Sequence, residues 1–400
     1  MISQTQLVLL NAIRGSLFDE EPLYPLDTDW NEVVLEAKAQ TVMGLISPKI
    51  PVYDEEFDKC KAFFMRVMFE QDQLLKCFDA NQIPCVILKG CAAAVYYSKP
   101  HLRTMGDIDV LVPRNRFIDA LEILETNGYV YDHGKGQEES VSRDTRELVY
   151  IKNGIIVEIH QRFSTPGVDV DDILESAIDR REYHVINGYK FPVLPCPENG
   201  LVLLGHINQH LKQNKLGLRQ IIDWEMFVFR VAEMPLWDIQ FVPLLKRTGL
   251  LTLAAHVTRL CNRYLGLPYQ KLFGIDVDDI LVDELLAVVL NDGNFGRKVY
   301  SSKNLDEKKL ISASYELKRD GIFRYFTRIG MSTSVFFRKH HSFYILAFFY
   351  GFFRVLSRSL RILLSCKGLG KQFSEGNNLY ELHSKRQELY KKMGVSTGEE

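Results

Sequence analysis

The chain has 400 residues, 46% apolar and 25% charged, the balance of a soluble globular protein of two or three domains and not of a disordered or fibrous one. Its seven cysteines are odd in number and form no C-x-x-C pair, which speaks against a disulfide framework or a zinc site and for a reducing cytoplasm. The net charge of -2 hides an asymmetry: residues 1–320 carry 36 basic and 46 acidic side chains, whereas 321–374 carry nine basic and none acidic.

The N-terminus, Met1-Ile2-Ser3-Gln4, has no basic n-region, so no signal peptide is expected. Residues 4–80 read as helical. Trp30, Val33, Val34, Ala37, Val42 and Leu45 follow a helical spacing, and a second helix is expected over Glu56–Asp79. Ile83-Pro84-Cys85-Val86-Ile87-Leu88 is then a short buried strand ending at Lys89-Gly90, followed by an Ala-rich helix over Cys91–Tyr97. Next comes Arg103-Thr104-Met105-Gly106-Asp107-Ile108-Asp109-Val110-Leu111-Val112, a strand with two carboxylates. Arg116–Asn127 has helical spacing with Gly128 as its C′ residue. Glu147–Lys152 and Ile155–His160 flank Asn153-Gly154, a strong hairpin signal. Pro192, Pro195 and Pro197 punctuate the end of a mixed α/β domain over 81–195. Helices are expected over Leu201–Leu211, Leu218–Val231, Leu250–Leu265, 279–291 and Asn377–Lys392. The implied organisation is an N-terminal helical region (1–80), the α/β domain (81–195), a helical domain (196–320) and a basic aromatic segment with its tail (321–400).

The chemistry concentrates in the second strand. Alternate residues of a strand share a face, so Asp107 and Asp109 project together. Two adjacent anions on an apolar strand repel each other and are costly to desolvate, and a divalent cation removes that cost. Ile155-Ile156-Val157-Glu158-Ile159-His160 contains a third in-strand carboxylate. If its strand lies beside the D-x-D strand, Glu158 joins the same cluster, and three carboxylates can hold two Mg²⁺ ions, with Mn²⁺ as a substitute. Leu88-Lys89-Gly90-Cys91 reads either as a plain strand-to-helix turn with a solvated lysine or as a phosphate cradle. In the cradle, Gly90 admits a phosphate to the helix N-terminus and Lys89 and Arg103 add charge.

The order Lys-Gly-x-Ala, an aromatic pair, Arg-x-x-Gly-Asp-x-Asp and then an in-strand Glu resembles the DNA polymerase β-like nucleotidyltransferase superfamily, and within it the bacterial family of uncharacterised nucleotidyltransferases. One departure is the turn Lys89-Gly90-Cys91, where the superfamily usually has Gly-Ser or Gly-Gly. The resemblance implies an α+β fold, a small mixed sheet with helices, flanked here by N- and C-terminal helical regions. It also implies Mg²⁺-dependent transfer of NMP from an NTP, ATP foremost, with pyrophosphate release. Asp107, Asp109 and Glu158 would be the metal ligands and catalytic residues. Lys89, Gly90, Arg103 and Gly106 would meet the nucleotide phosphates. The acceptor stays open: a small molecule, a sugar or lipid intermediate, a protein or an RNA.

Four further residues have two readings each. His160, two residues past Glu158, shares its face, and is either a site residue or a hydrogen-bonded structural histidine; Arg162 follows at the same rim. Arg219 and Asp223, at i and i+4 on a helix, form either an intrahelical ion pair or a contact with nucleotide or acceptor. His206 and His210 share the same spacing without an H-E-x-x-H pattern, which disfavours a metal site. Nine aromatic residues between Phe336 and Phe353 lie among arginines, and the longest uncharged run there, Ser342–Phe353, is too short for an ordinary membrane span. Segment 321–374 therefore suits a helix packed on the body, a peripheral helix at the inner face of the membrane, or a nucleic-acid surface. Two other functions compete with nucleotidyl transfer: an inactive nucleotide-binding or scaffold protein on the same fold, and a phosphohydrolase using the same carboxylates.

Overall fold

The computed structural model describes residues 2–51, 55–132, 145–164, 168–268, 273–296, 318 and 369–395. Met1–Lys298 and Tyr390–Glu400 form one compact unit, and Val299–Leu389 another. The whole sheet and the cleft beside it belong to the first unit. Most of the basic aromatic segment, 321–368, lies outside the described residues, and with it the expected membrane or nucleic-acid contact. Among the described residues no helix is long and apolar enough to cross a membrane.

The fold is α+β, and among the described residues it is built on a seven-stranded mixed sheet. Its strands are β1 (Val86–Leu88), β2 (Ile108–Leu111), β3 (Val130–Tyr131), β4 (Glu147–Lys152), β5 (Ile155–His160), β6 (Glu182–Ile186) and β7 (Tyr189–Val193). They lie in the order β3-β4-β5-β2-β1-β7-β6. Asn153 and Gly154 both take positive φ, 51° and 72°, which matches a two-residue hairpin turn to the strand twist. The turn sets the β4–β5 register, and β5 then runs parallel to β2 with Asp109 opposite Glu158. The adjacency expected of the D-x-D and Glu158 strands is therefore present.

The sheet extends further than the sequence suggests. The prolines near 195 read as a boundary, yet Pro192 lies within β7, where it faces Tyr183 of β6 while β7 runs parallel to β1. The turn between β6 and β7 is Asn187-Gly188, at φ 50° and 83°, the same hairpin signal as Asn153-Gly154.

Helices α1 (Gln4–Phe18) and α2 (Trp30–Gln40) open the chain, α1 with a Ser3/Gln6 capping box and α2 capped by Asp29. The long α3 (Glu55–Ala80) and the shorter α4 (Phe117–Thr126) then cover one face of the sheet. Strand alternation separates the two faces. Ile108, Val110, Ile155, Val157 and Ile159 join one apolar cluster with Phe64, Val67, Leu74 and Phe78 of α3 and with Phe117, Ala120 and Leu124 of α4. Each fully buried side chain of this kind contributes roughly 1.5–3 kcal/mol relative to exposure. The residues between them, Asp109 on β2 and Glu158 and His160 on β5, are left on the opposite face.

That opposite face is covered by two helices of the later helical region, α5 (Cys196–Lys212) and α6 (Leu218–Val231). The buried amide of Gln40 ties the N-terminal and later helices together, donating to the Val289 carbonyl at 3.0 Å and accepting from the Leu218 N–H at 3.2 Å. Tyr390 returns to the same unit and donates to Asn214 Oδ1 at 3.3 Å.

Candidate active site

The D-x-D strand delivers Asp109 into the middle of the sheet, where it is 2% exposed. Three neighbours converge on it. Lys89 Nζ is 2.6 Å from Asp109 Oδ1, and His160 Nε2 is 2.9 Å from the same oxygen. Glu158 stands opposite it on β5, and its Oε2 is 3.6 Å from His160 Nε2. On the other edge of the ring, His160 Nδ1 lies 3.1 Å from Glu147 Oε2. Both nitrogens of this fully buried imidazole thus face carboxylates. Asp107, immediately before β2, lines the same cleft.

The charges explain one another. Burial raises the Asp107 carboxyl, and Asp109 beside it raises it further. Glu158 is raised by burial and by the Asp109 charge, against the lowering effect of its His160 hydrogen bond. Burial would raise Asp109 too, but Lys89 and His160 outweigh it and hold it well below the usual carboxylate range. For His160 burial favours the neutral ring, yet its hydrogen bond to Asp109 and the nearby Glu147 and Glu158 carboxylates prevail and push it up to about 10. Glu147, despite burial, is drawn down to about 2 by His160. Asp109 is already neutralised by protein cations, whereas Asp107 and Glu158 repel it and are not.

The turn after β1 has a special backbone. The left-handed backbone falls on Lys89, at φ 48° and ψ -130°, and not on Gly90. A non-glycine residue held there costs about 1–3 kcal/mol and persists only where its surroundings fix it. Here the Lys89 carbonyl accepts from the Ala93 N–H at 2.7 Å, and its ammonium is anchored on Asp109. The lysine expected either at a phosphate or in solvent is buried, lines the cleft and is paired with the central aspartate. Gly90 and Gly106 both line the cleft.

Arg103 lines the cleft as well, but it is already paired. The sequence points to a phosphate grip, but the guanidinium is 5% exposed and forms a bidentate pair with Asp223: Nε to Oδ1 at 2.8 Å and Nη2 to Oδ2 at 2.6 Å. Tyr97 Oη donates to Asp223 Oδ1 at 2.7 Å. The pair joins the approach to β2 to helix α6, so Asp223 faces the protein interior and not the ligand side of the cleft. Arg219, one turn earlier on the same helix as Asp223, lines the cleft too, and its Nη1 is 3.4 Å from the Thr104 carbonyl. Arg162 lies beyond the end of β5 and is not among the cleft-lining residues.

The cleft has a volume of about 350 Å³. The sheet and its strand ends contribute Lys89, Asp107, Asp109, Glu147 and Glu158, and the facing helices with the loop between them contribute His206, Gln209, His210, Gln213, Lys215 and Arg219. His206 and His210 meet through their Nε2 atoms at 2.6 Å. Burial, Lys89 and Arg219 bring His210 down to about 3, and burial with His210 keeps His206 well below its ordinary value. The two rings are therefore neutral, one donating to the other. Arg146 Nη2 reaches Gln209 Oε1 at 2.8 Å, linking the sheet to helix α5. Glu147 could have been found from the sequence by counting outward from the Asn153-Gly154 turn, which pairs it with His160. Lys215 and Phe295 carry no comparable local signal.

The family comparison agrees with this geometry. The profile of the uncharacterised nucleotidyltransferase family matches residues 54–266, from the long helix before β1 through the sheet and both helices that face the cleft. The chain belongs to that family. No curated protein matches it. Nucleotidyltransferases generally use divalent metals, and the carboxylates here suit one: ligand atoms of Asp109 and Glu158 lie within 4.8 Å of each other and of His160, with Asp107 adjacent, and the protonated His160 stands beside them as a positioning cation. Burial, and the Asp109 charge after it, raise Asp107 and Glu158, and a cation bound by these carboxylates would offset both.

Proposed function

We propose that the protein transfers NMP from an NTP to an acceptor hydroxyl or phosphate and releases pyrophosphate. One observation carries this reading: Asp109 and Glu158 stand side by side on parallel strands, with Asp107 two residues before Asp109, facing a cleft whose opposite wall bears cations. Asp107, Asp109 and Glu158 would hold the divalent ions, Mg²⁺ by preference. Such ions, when bound, lower the pKa of the attacking oxygen and neutralise charge on the leaving pyrophosphate.

The chain's own groups do the rest. Lys89 and His160 keep Asp109 ionised and fix its orientation at 2.6 and 2.9 Å. Arg219 and Lys215, on the helical wall, are placed to hold the triphosphate, the role that the sequence suggests for Arg103. The acceptor oxygen forms a bond to the α-phosphorus as the bond to the bridging oxygen of the β-phosphate breaks. The acceptor's proton passes to the Glu158 carboxylate, which is 23% exposed where Asp109 is 2%. Intact carboxylates favour this reading over an inactive scaffold.

Incubation with each α-labelled NTP, Mg²⁺ or Mn²⁺, and a cell extract tests it. The expected result is label on one class of acceptor, lost in Glu158→Gln. Transfer that persists undiminished in Glu158→Gln and Asp109→Asn would overturn it.

A further inference from the structure

One aromatic side chain in the cleft is unused by the proposed chemistry. Phe295 is 45% exposed and lines the cleft. Its backbone is left-handed, with φ 59° and ψ 26°. A bulky residue in that conformation is a genuine outlier, and such outliers persist where the surroundings over-determine them.

The surroundings here do so. The Phe295 N–H donates to the Lys215 carbonyl at 3.1 Å. The preceding Asn294 is fully buried: its Oδ1 accepts from Gln220 Nε2 at 3.2 Å, and its Nδ2 donates to Thr41 Oγ1 at 2.9 Å. Asn294 also packs so closely on Gly217 that a Cβ at Gly217 would come within 2.7 Å of the Asn294 Cβ. A buried amide, a glycine and a strained backbone together present a phenyl ring to solvent at the cleft.

The ring is also flanked in a specific way. The Arg219 guanidinium lies 5.9 Å from its centroid, and the neutral His210 ring packs against it edge-on at 5.3 Å. Arg219 bridges towards the carboxylates, since its Nη1 lies 3.4 Å from where a Cβ on Gly106 would be, next to Asp107. Acid cluster, guanidinium and exposed aromatic face follow one another within a single cleft. That is the order of a metal-bound phosphate, its counter-charge and a planar base.

We propose that Phe295 is the stacking platform for the nucleobase of the NTP, an inference that rests on the nucleotidyltransferase reading above. Every base has a π-face, so the platform favours nucleotides over bare polyphosphates without selecting strongly among bases, and the larger purines gain most from it.

Calorimetric titration of the full-length protein with ATP and with inorganic tripolyphosphate, both with Mg²⁺, separates the contributions. Phe295→Ala is expected to weaken ATP binding roughly five- to a hundred-fold while tripolyphosphate binding stays within about two-fold, and Phe295→Trp is expected to retain ATP binding. Unchanged ATP affinity in Phe295→Ala would overturn the platform while leaving the nucleotidyltransferase reading intact. An equal loss of ATP and tripolyphosphate binding would overturn it too, because Phe295 would then support the wall and not the base. Failure of the unsubstituted protein to bind either ligand would instead remove the reading on which the proposal rests.

Discussion

Replacing Asp223 by Asn separates the two roles that Arg103 could have. The Asp223 carboxylate receives Arg103 Nε at 2.8 Å, Arg103 Nη2 at 2.6 Å and Tyr97 Oη at 2.7 Å, with the two charged side chains only 5% and 4% exposed. Asparagine keeps one acceptor but turns an NH₂ group towards the guanidinium, which leaves a buried cation without its counter-charge. Breaking one side of a buried pair costs about 3–5 kcal/mol. At about 2–4 °C per kcal/mol for a large domain, the unfolding midpoint should fall by roughly 6–20 °C. The triple variant Arg103→Met, Asp223→Leu, Tyr97→Phe removes charge, counter-charge and donor together and should recover most of that loss, because a desolvated pair adds little over a packed apolar replacement. Thermal unfolding followed by circular dichroism measures both effects. An unchanged midpoint in Arg103→Met together with a raised KM for NTP, the behaviour of a phosphate grip, would refute the structural role.

Other expectations follow from buried charge elsewhere. Glu225 is fully buried, with no ion-pair partner among the described residues, and burial raises its carboxyl well above the ordinary 4.5. The folded state keeps this proton after the unfolded chain has lost it, so Glu225 costs nothing below pH 4.5 and erodes stability as pH rises above it. Glu225→Gln should therefore gain on the unsubstituted protein by up to about 1.4 kcal/mol per pH unit between about pH 5 and 7 in urea unfolding; a constant difference would contradict this. Lys89→Met removes the ammonium 2.6 Å from Asp109 and should tighten Mn²⁺ binding about tenfold or more, as read by electron paramagnetic resonance of the free ion. Equal or weaker Mn²⁺ binding would mean that Lys89 does not compete with a cation for Asp109.

The central part of this site is legible in the sequence because charge violates strand periodicity there. Asp109 and Glu158 each interrupt a run of Ile and Val, and the Asn153-Gly154 turn sets the register that pairs β4 with the Glu158 strand. Asn187-Gly188 carries the same turn chemistry, but Pro192 suggests an end, and Glu182-Tyr183-His184 lacks the apolar alternation of a buried strand. The pairing of Arg103 is hidden for a different reason. Its partner Asp223 is 120 residues away, and only the packing of α6 on the sheet brings the two together. Likewise the short span Trp237–Arg247, two joined helical pieces, offers no clear local signal. Local pattern thus locates the acidic centre, while the cationic and aromatic wall opposite it is a product of tertiary structure.

The most direct test of nucleotidyl transfer is the identity of the phosphorus product. With each of the four NTPs and Mg²⁺ or Mn²⁺, in the presence of acceptor-containing extract, the protein should release pyrophosphate in step with labelled acceptor, and Asp109→Asn should abolish both. Orthophosphate as the product, lost in the same variant, would make the carboxylates those of a phosphohydrolase; no release from any NTP would leave a nucleotide-binding protein without the transfer reaction.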